Sequence, residues 1–219
     1  MITVYGINLS TFTRKVRLAL VEKGLDYQLE VAPMGSPAIR ALNPLGKIPV
    51  LRDGNLVVPD SSVIVAYLER RWPERPLWPA DAAALARALW IEEFADTSLR
   101  EAILPWFAEN FVKPVFQGVA GDAAALARAG RLRDAAFDYL EREIAGRVPA
   151  VAAPLTIADI AVGAQLVTYR QGDGVIDAAR WPGLSRFHDA LVARPAWARM
   201  IEEEQATIAA ARARKKTAG

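Results

Sequence analysis

Ser10, Thr11 and Thr13 stand immediately before two cations, Arg14 and Lys15, and an apolar helical run. Hydroxyls in that position can cap the helix by accepting from its unpaired N–H groups, or one of them can do chemistry on a bound ligand. A second group, Asp60, Ser61 and Ser62, opens the run "SSVIVAYLE", where free N–H groups and the helix dipole can hold a carboxylate. Taken alone, "DSS" is also an ordinary helix cap. The third group is "NPLGKIPVL", in which Pro49 begins a strand and need not donate to the ladder. Ile48 then keeps a free backbone N–H and C=O at the sheet end, able to pair with an extended, peptide-like ligand.

Other chemistries are excluded by residue supply. The chain has one histidine, His188, so no histidine metal cluster can form, and any histidine-based triad would depend on that single ring. No cysteine is present, which removes disulfides, thiolate metal sites and a cysteine nucleophile, and fits a reducing compartment. The carboxylates of Glu92, Glu93 and "EEE" at 202–204 are neighbours on helices and point in different directions. "GDG" at 172–174 is a turn, lacking the rest of any phosphate-binding fingerprint. A formal net charge of +2 over 219 residues demands neither nucleic acid nor an anionic membrane. The run from Met1 lacks the pattern of a leader, and no stretch approaches the roughly 20 apolar residues of a membrane span. A soluble, cytoplasmic protein without metal is expected.

The elements that must position these residues are legible from periodicity. "ITVYG" reads as a strand, "RKVRLALVEKG" as a helix ended by Gly24, and "LDYQLEV" as a second strand reached by a right-handed parallel crossover. A short helix in "GSPAIRALNPLG" follows, then "IPVLR" and "LVVP" as a hairpin around "DGN", then the amphipathic helix from Ser61. The order is βαβ, short helix, ββα. Three prolines in "WPERPLWP" mark a boundary, which divides the chain into a first domain 1–76, a linker 77–80 and a helical domain 81–210. Its helical segments are 82–117, 122–146, 156–168 and 183–210, with breaks near Gly121, Pro149, Pro154, Gly172 and Pro195. Pro105 and Pro114 are expected to kink or end the first. The basic tail 211–219 is read as a frayed, disordered terminus.

Four stretches together carry a family resemblance: "STFTRKVRLALVEKGLDY", "NPLGKIPVL", "DSSVIVAYLE" and "LTIADIAVGAQL". Over roughly 1–210 the chain resembles a soluble glutathione transferase, bacterial-like and of the serine type. The resemblance implies a thioredoxin-like first domain followed by an all-helical one. It implies a cis Pro49, with Ile48 binding the cysteinyl backbone of glutathione and Lys47 beside it, and Asp60 and Ser61 binding the γ-glutamyl group. "LTIAD" matches the family's buried helical cap, and Thr156 and Asp159 are spaced as a capping box. In the serine-type branches a serine after the first strand donates to the glutathione sulfur, and Ser10 occupies that place. Thr11 stands where many relatives have proline, which leaves Thr11 and Thr13 as alternative sulfur partners. Arg14 or Lys15 adds a favourable field if it points inward.

The implied function is conjugation of glutathione to an apolar electrophile. The electrophile pocket is expected to draw on Ile7, Asn8 and Leu9 and on Trp106, Phe107 and Phe111, although an aromatic stripe of this kind is more often core than pocket. Glutathione-dependent isomerases, dehalogenases and reductases share the fold, and a noncatalytic interaction module could keep the packing motifs. The resemblance also implies a homodimer, first domain against helical domain, with Trp72, Trp78 and Trp90 near the contact or buried within one subunit.

Overall fold

Alternation of Ile2 and Val4 with Thr3 and Tyr5 produces strand β1, Ile2–Gly6, whose Ile2, Val4 and Gly6 face the interior. In the computed structural model, which describes residues 1–144 and 154–218, it is followed by α1 (Thr11–Glu22), β2 (Tyr27–Val31) and α2 (Pro37–Leu42). Then come β3 (Val50–Asp53), β4 (Leu56–Pro59) and α3 (Ser61–Arg71). This is the expected order. The four strands form one sheet in the order β2-β1-β3-β4, with β1 and β2 parallel and the other pairs antiparallel. Val16, Leu18, Ala19 and Leu20 of α1 and Ile64, Val65 and Leu68 of α3 are buried with Val4, Val50 and Leu51, giving a thioredoxin-like core. Gly24, at φ +72°, ends α1 with its N–H on the Val21 carbonyl. Pro49 lies one residue before β3, which starts at Val50 because proline has no N–H for the ladder.

The chain divides into two compact units, Met1–Leu89 with Pro154–Ile160, and Trp90–Ala153 with Ala161–Gly219. In the first, a buried ion pair fixes the segment after α3. Lys23 Nζ lies 2.7 Å from Glu69 Oε1 and donates to the Arg75 carbonyl at 3.0 Å. The same carboxylate accepts from the N–H groups of Leu77 and Trp78, both at 3.1 Å. Leu77 in turn accepts from the N–H of Ile157 at 3.0 Å. There Asp159 Oδ2 accepts from the Thr156 N–H at 2.7 Å, the carboxylate half of the expected capping box, and from the Thr156 hydroxyl at 2.8 Å, so that the hydroxyl donates to the carboxylate instead of accepting from the Asp159 N–H.

Beyond α3 the described structure is helical, and of its helices the residues Ala82–Leu89 and Ile157–Ile160 belong to the first unit. Helix α4 (Ala82–Phe94) continues through a wider, π-type turn at Ala95–Leu99 into α5 (Arg100–Phe107) and a second such stretch at Ala108–Gln117. Pro105 therefore sits inside α5 and Pro114 inside the second wide stretch, without ending the helix. Widened turns are one way to accommodate the missing N–H donors. Helices α6 (Ala123–Ile144), α7 (Ile157–Gln171), α8 (Pro182–Val192) and α9 (Pro195–Ala218) complete it. Helix α9 carries on through the basic tail that the sequence assigned to a frayed end, since Ala, Arg and Lys are strong helix formers. The expected break near Pro149 lies outside the described residues.

Candidate functional site

Sheet register gathers the three groups of site candidates. Tyr5 of β1 pairs with Val50 of β3, and Val50 pairs with Pro59 of β4. The loop leaving β1, the segment entering β3 and the segment leaving β4 thus meet at one rim of the sheet. Helices α1 and α3 both begin there, and their N-terminal dipole ends give the rim a positive potential.

Ser10 is the N-cap of α1. Its Oγ accepts from the Thr13 N–H at 3.3 Å and donates to no described residue. A hydroxyl offers two lone pairs and one proton, so capping leaves the proton available for an outside acceptor. Thr11, half-buried, is the first residue of α1. Thr13 is fully buried, and its hydroxyl has no partner among the described residues. It packs against Gly6, where a Cβ would collide with it, so it faces β1 and has no surface to offer a ligand.

The Ile48–Pro49 peptide is cis. Ile48, half-buried, has no backbone hydrogen bond to the described residues. Asn43 braces the approach: its amide donates to the Lys47 carbonyl at 2.9 Å and its oxygen accepts from the Leu45 N–H at 3.0 Å. Lys47 is exposed beside them. Sequence reasoning missed Asn43, whose signal was the Asn-Pro pair at the end of α2.

Asp60 caps α3 from a left-handed backbone, φ 76°, a conformation that costs a non-glycine residue energy and is often retained at functional positions. Its Oδ1 accepts from the N–H groups of Ser62 at 2.9 Å and Val63 at 3.2 Å. The carboxylate is exposed, so its second oxygen can accept from a ligand. Ser61, 5% exposed, has a hydroxyl with no partner among the described residues. An exposed carboxylate beside an uncommitted hydroxyl at a helix start complements a group carrying both an ammonium and a carboxylate. Arg14 and Lys15 are both buried, each 1% exposed, and Lys15 Nζ donates to Ser62 Oγ at 3.0 Å, tying α1 to α3.

The expected electrophile residues divide between the units. Ile7, Asn8 and Leu9 form the half-buried loop after β1 in the first. In the second, Trp106 donates its indole N–H to the Gly172 carbonyl at 2.9 Å. Phe111 has no exposed surface and stacks on Phe107 with ring centroids 5.0 Å apart. Phe107 and Phe111 are packed side chains, the core alternative that the sequence favoured for the stripe, because stacking two large rings buries the apolar area they carry. His188 lies apart from the rim residues in sequence, on α8, with Nδ1 3.2 Å from Asp189 Oδ1. Burial lowers its pKa, against the pull of Asp189.

Against known proteins, residues 4–76 match the glutathione S-transferase N-terminal domain. A glutathione S-transferase of Triticum aestivum is 29% identical over 208 residues, 92% of this chain and 93% of that one. The crystal structure of a glutathione S-transferase from Rhodospirillum rubrum superposes with a TM-score of 0.78 at 29% identity over 91% of each chain. Another, from Methylobacterium radiotolerans in complex with glutathione sulfonate, has a TM-score of 0.74 at 29% identity, covering 91% of this chain and 94% of that one. Residues 4–76 thus carry the glutathione S-transferase N-terminal domain, and over about nine-tenths of its length the chain is similar in sequence and fold to glutathione S-transferases.

Proposed function

We propose that this chain is a glutathione transferase in which Ser10 holds the glutathione sulfur as thiolate. The observation that carries the reading is the uncommitted proton of the capping Ser10 hydroxyl, at the rim shared with Ile48 and Ser61. Ile48 pairs with the cysteinyl backbone through its N–H and C=O. The γ-glutamyl head sets its ammonium on Asp60 and its carboxylate on Ser61, and Lys47 offers a cation to the peptide's other carboxylate. A relative crystallised with glutathione sulfonate supports this choice of ligand.

The thiol's ordinary pKa of about 8.5 must fall by about two units for useful ionisation at neutral pH, which takes about 2.7 kcal/mol of preferential thiolate stabilisation. A hydrogen bond from Ser10 and the dipole of α1 together supply an effect of that order. The thiolate then attacks an electrophilic carbon beside Ile7, Asn8 and Leu9. A sulfur–carbon bond forms, and the leaving group departs with its electron pair. The functional unit is a two-fold homodimer.

Calorimetric titration with glutathione tests the reading. Saturable binding is expected in the sub-millimolar to millimolar range, about 4.1 kcal/mol at 1 mM. Ser61→Ala should weaken it roughly ten- to a hundredfold by removing a charge-assisted hydrogen bond. No heat at tens of millimolar would make the chain a noncatalytic module on this fold.

A further inference from the structure

Two buried cations, Arg14 and Lys15, follow the Ser10 cap on α1, and the second reaches across to the start of α3. Lys15 Nζ donates there to Ser62 Oγ at 3.0 Å. An ammonium can only donate, so Ser62 is the acceptor in this bond and its own proton is not used in it. A hydroxyl polarised by a charged donor is a stronger donor in turn. Ser62 is half-buried, and its backbone N–H is held by Asp60 Oδ1 at 2.9 Å. Beside it the Ser61 hydroxyl, 5% exposed, has no partner among the described residues.

Two serines, the N-terminal dipole of α3 and an ammonium behind them thus lie together at one helix start. Neither α1 nor α3 carries an acidic residue in its first turn. An anion seated at α3 is therefore attracted by the dipole and by the ammonium alike, with no carboxylate of either first turn opposing it.

We propose that Lys15 is a positioning residue for glutathione: it holds Ser62 and sets a positive charge behind it, so that the γ-glutamyl carboxylate is taken by Ser61 and Ser62 together. Lys15 itself is buried and touches no ligand. The role rests on the glutathione reading above, and it assigns selectivity for a carboxylate at that end of the peptide to a lysine 47 residues away from the serine it holds.

The test is NMR titration of the full chain with three peptides: glutathione, γ-aminobutyryl-cysteinylglycine, which lacks the γ-glutamyl carboxylate, and glutaryl-cysteinylglycine, which lacks the ammonium. Removing the carboxylate should weaken binding to the native chain about tenfold. In Lys15→Met that factor should shrink below about threefold, while the factor for removing the ammonium stays as in the native chain, because Asp60 holds that group. A loosened fold would move both factors, so their difference separates positioning from packing damage. Ser62→Ala should shrink the carboxylate factor similarly, and the double variant should add less than about twofold to either single one. Equal changes of both factors in Lys15→Met would overturn the proposal. An undiminished carboxylate factor in Ser62→Ala would do so as well, even if Lys15→Met failed to fold, and would leave the glutathione reading intact. If the native chain bound none of the three peptides, that reading would fall and the role of Lys15 with it.

Discussion

At the scale of single residues, the opening stretch holds three hydroxyls with three different fates. Ser10 caps and keeps its proton, Thr11 begins the helix, and Thr13 turns to Gly6. Ser10→Ala should therefore fail in two separable ways. Loss of the cap should cost about 1 kcal/mol in denaturant unfolding. Loss of the donor should raise the pKa of bound glutathione's thiol, read by its thiolate absorbance, and lower turnover of an aromatic electrophile at neutral pH, with partial recovery at higher pH. Thr13→Val removes a buried hydroxyl that has no partner among the described residues, so stability should hold or rise and the thiol pKa should not move. A raised thiol pKa in Thr13→Val with a normal Ser10→Ala would reverse the assignment. The sequence could not rank these hydroxyls, because neighbouring residues at a helix start differ in direction by a large rotation and only the packing against Gly6 selects which one is buried.

At the scale of elements, the Lys23–Glu69 pair binds α1, α3 and the segment at Leu77 into one piece. Both side chains are almost fully buried, so removing one partner leaves an uncompensated charge. Lys23→Met should cost about 3–5 kcal/mol in urea unfolding, and the double variant with Glu69→Gln should recover part of it. A loss below about 0.5 kcal/mol would show that the pair contributes no more than a surface one. Gly163 is a second such contact: a Cβ there would meet Leu191 Cδ1 at 2.6 Å as well as the ring of the buried Trp197. Gly163→Ala should destabilise by about 1–3 kcal/mol, despite alanine's better helix propensity.

At the scale of the whole molecule, acid sensitivity has an identifiable contributor. The Trp181 indole N–H, and after it Arg180, hold the Asp138 carboxyl below its usual range. A depressed folded pKa means that the unfolded chain binds more protons near the ordinary value of about 3.9. The contribution of Asp138 is thus present above that value and is lost as pH falls through the lower, folded one. The melting-temperature gap between wild type and Asp138→Asn should be constant from neutral pH down to about 5 and shrink below about 4. A gap independent of pH would exclude this linkage. Trp90, 52% exposed, leaves apolar surface suited to association. Light scattering at micromolar concentration should give the dimer mass, and a monomer would refute the proposed assembly.

The sequence alone determined the order of elements, the cap at Thr156 and the three short groups at Ser10, Ile48 and Asp60, because periodicity, turn chemistry and capping are local properties. Tertiary structure decided which of those groups meet, through the register Tyr5 to Val50 to Pro59. It also decided that Lys15 reaches Ser62 across 47 residues and that Lys23 reaches Glu69 across 46. It stacked Phe107 on Phe111 and turned the expected loose tail into the helix that carries Arg212. The register and the Lys15 and Lys23 contacts depend on pairing between segments distant in the chain, and a pattern read along one segment carries no information about which partner will cover it, whereas the helical tail follows from its own Ala, Arg and Lys content.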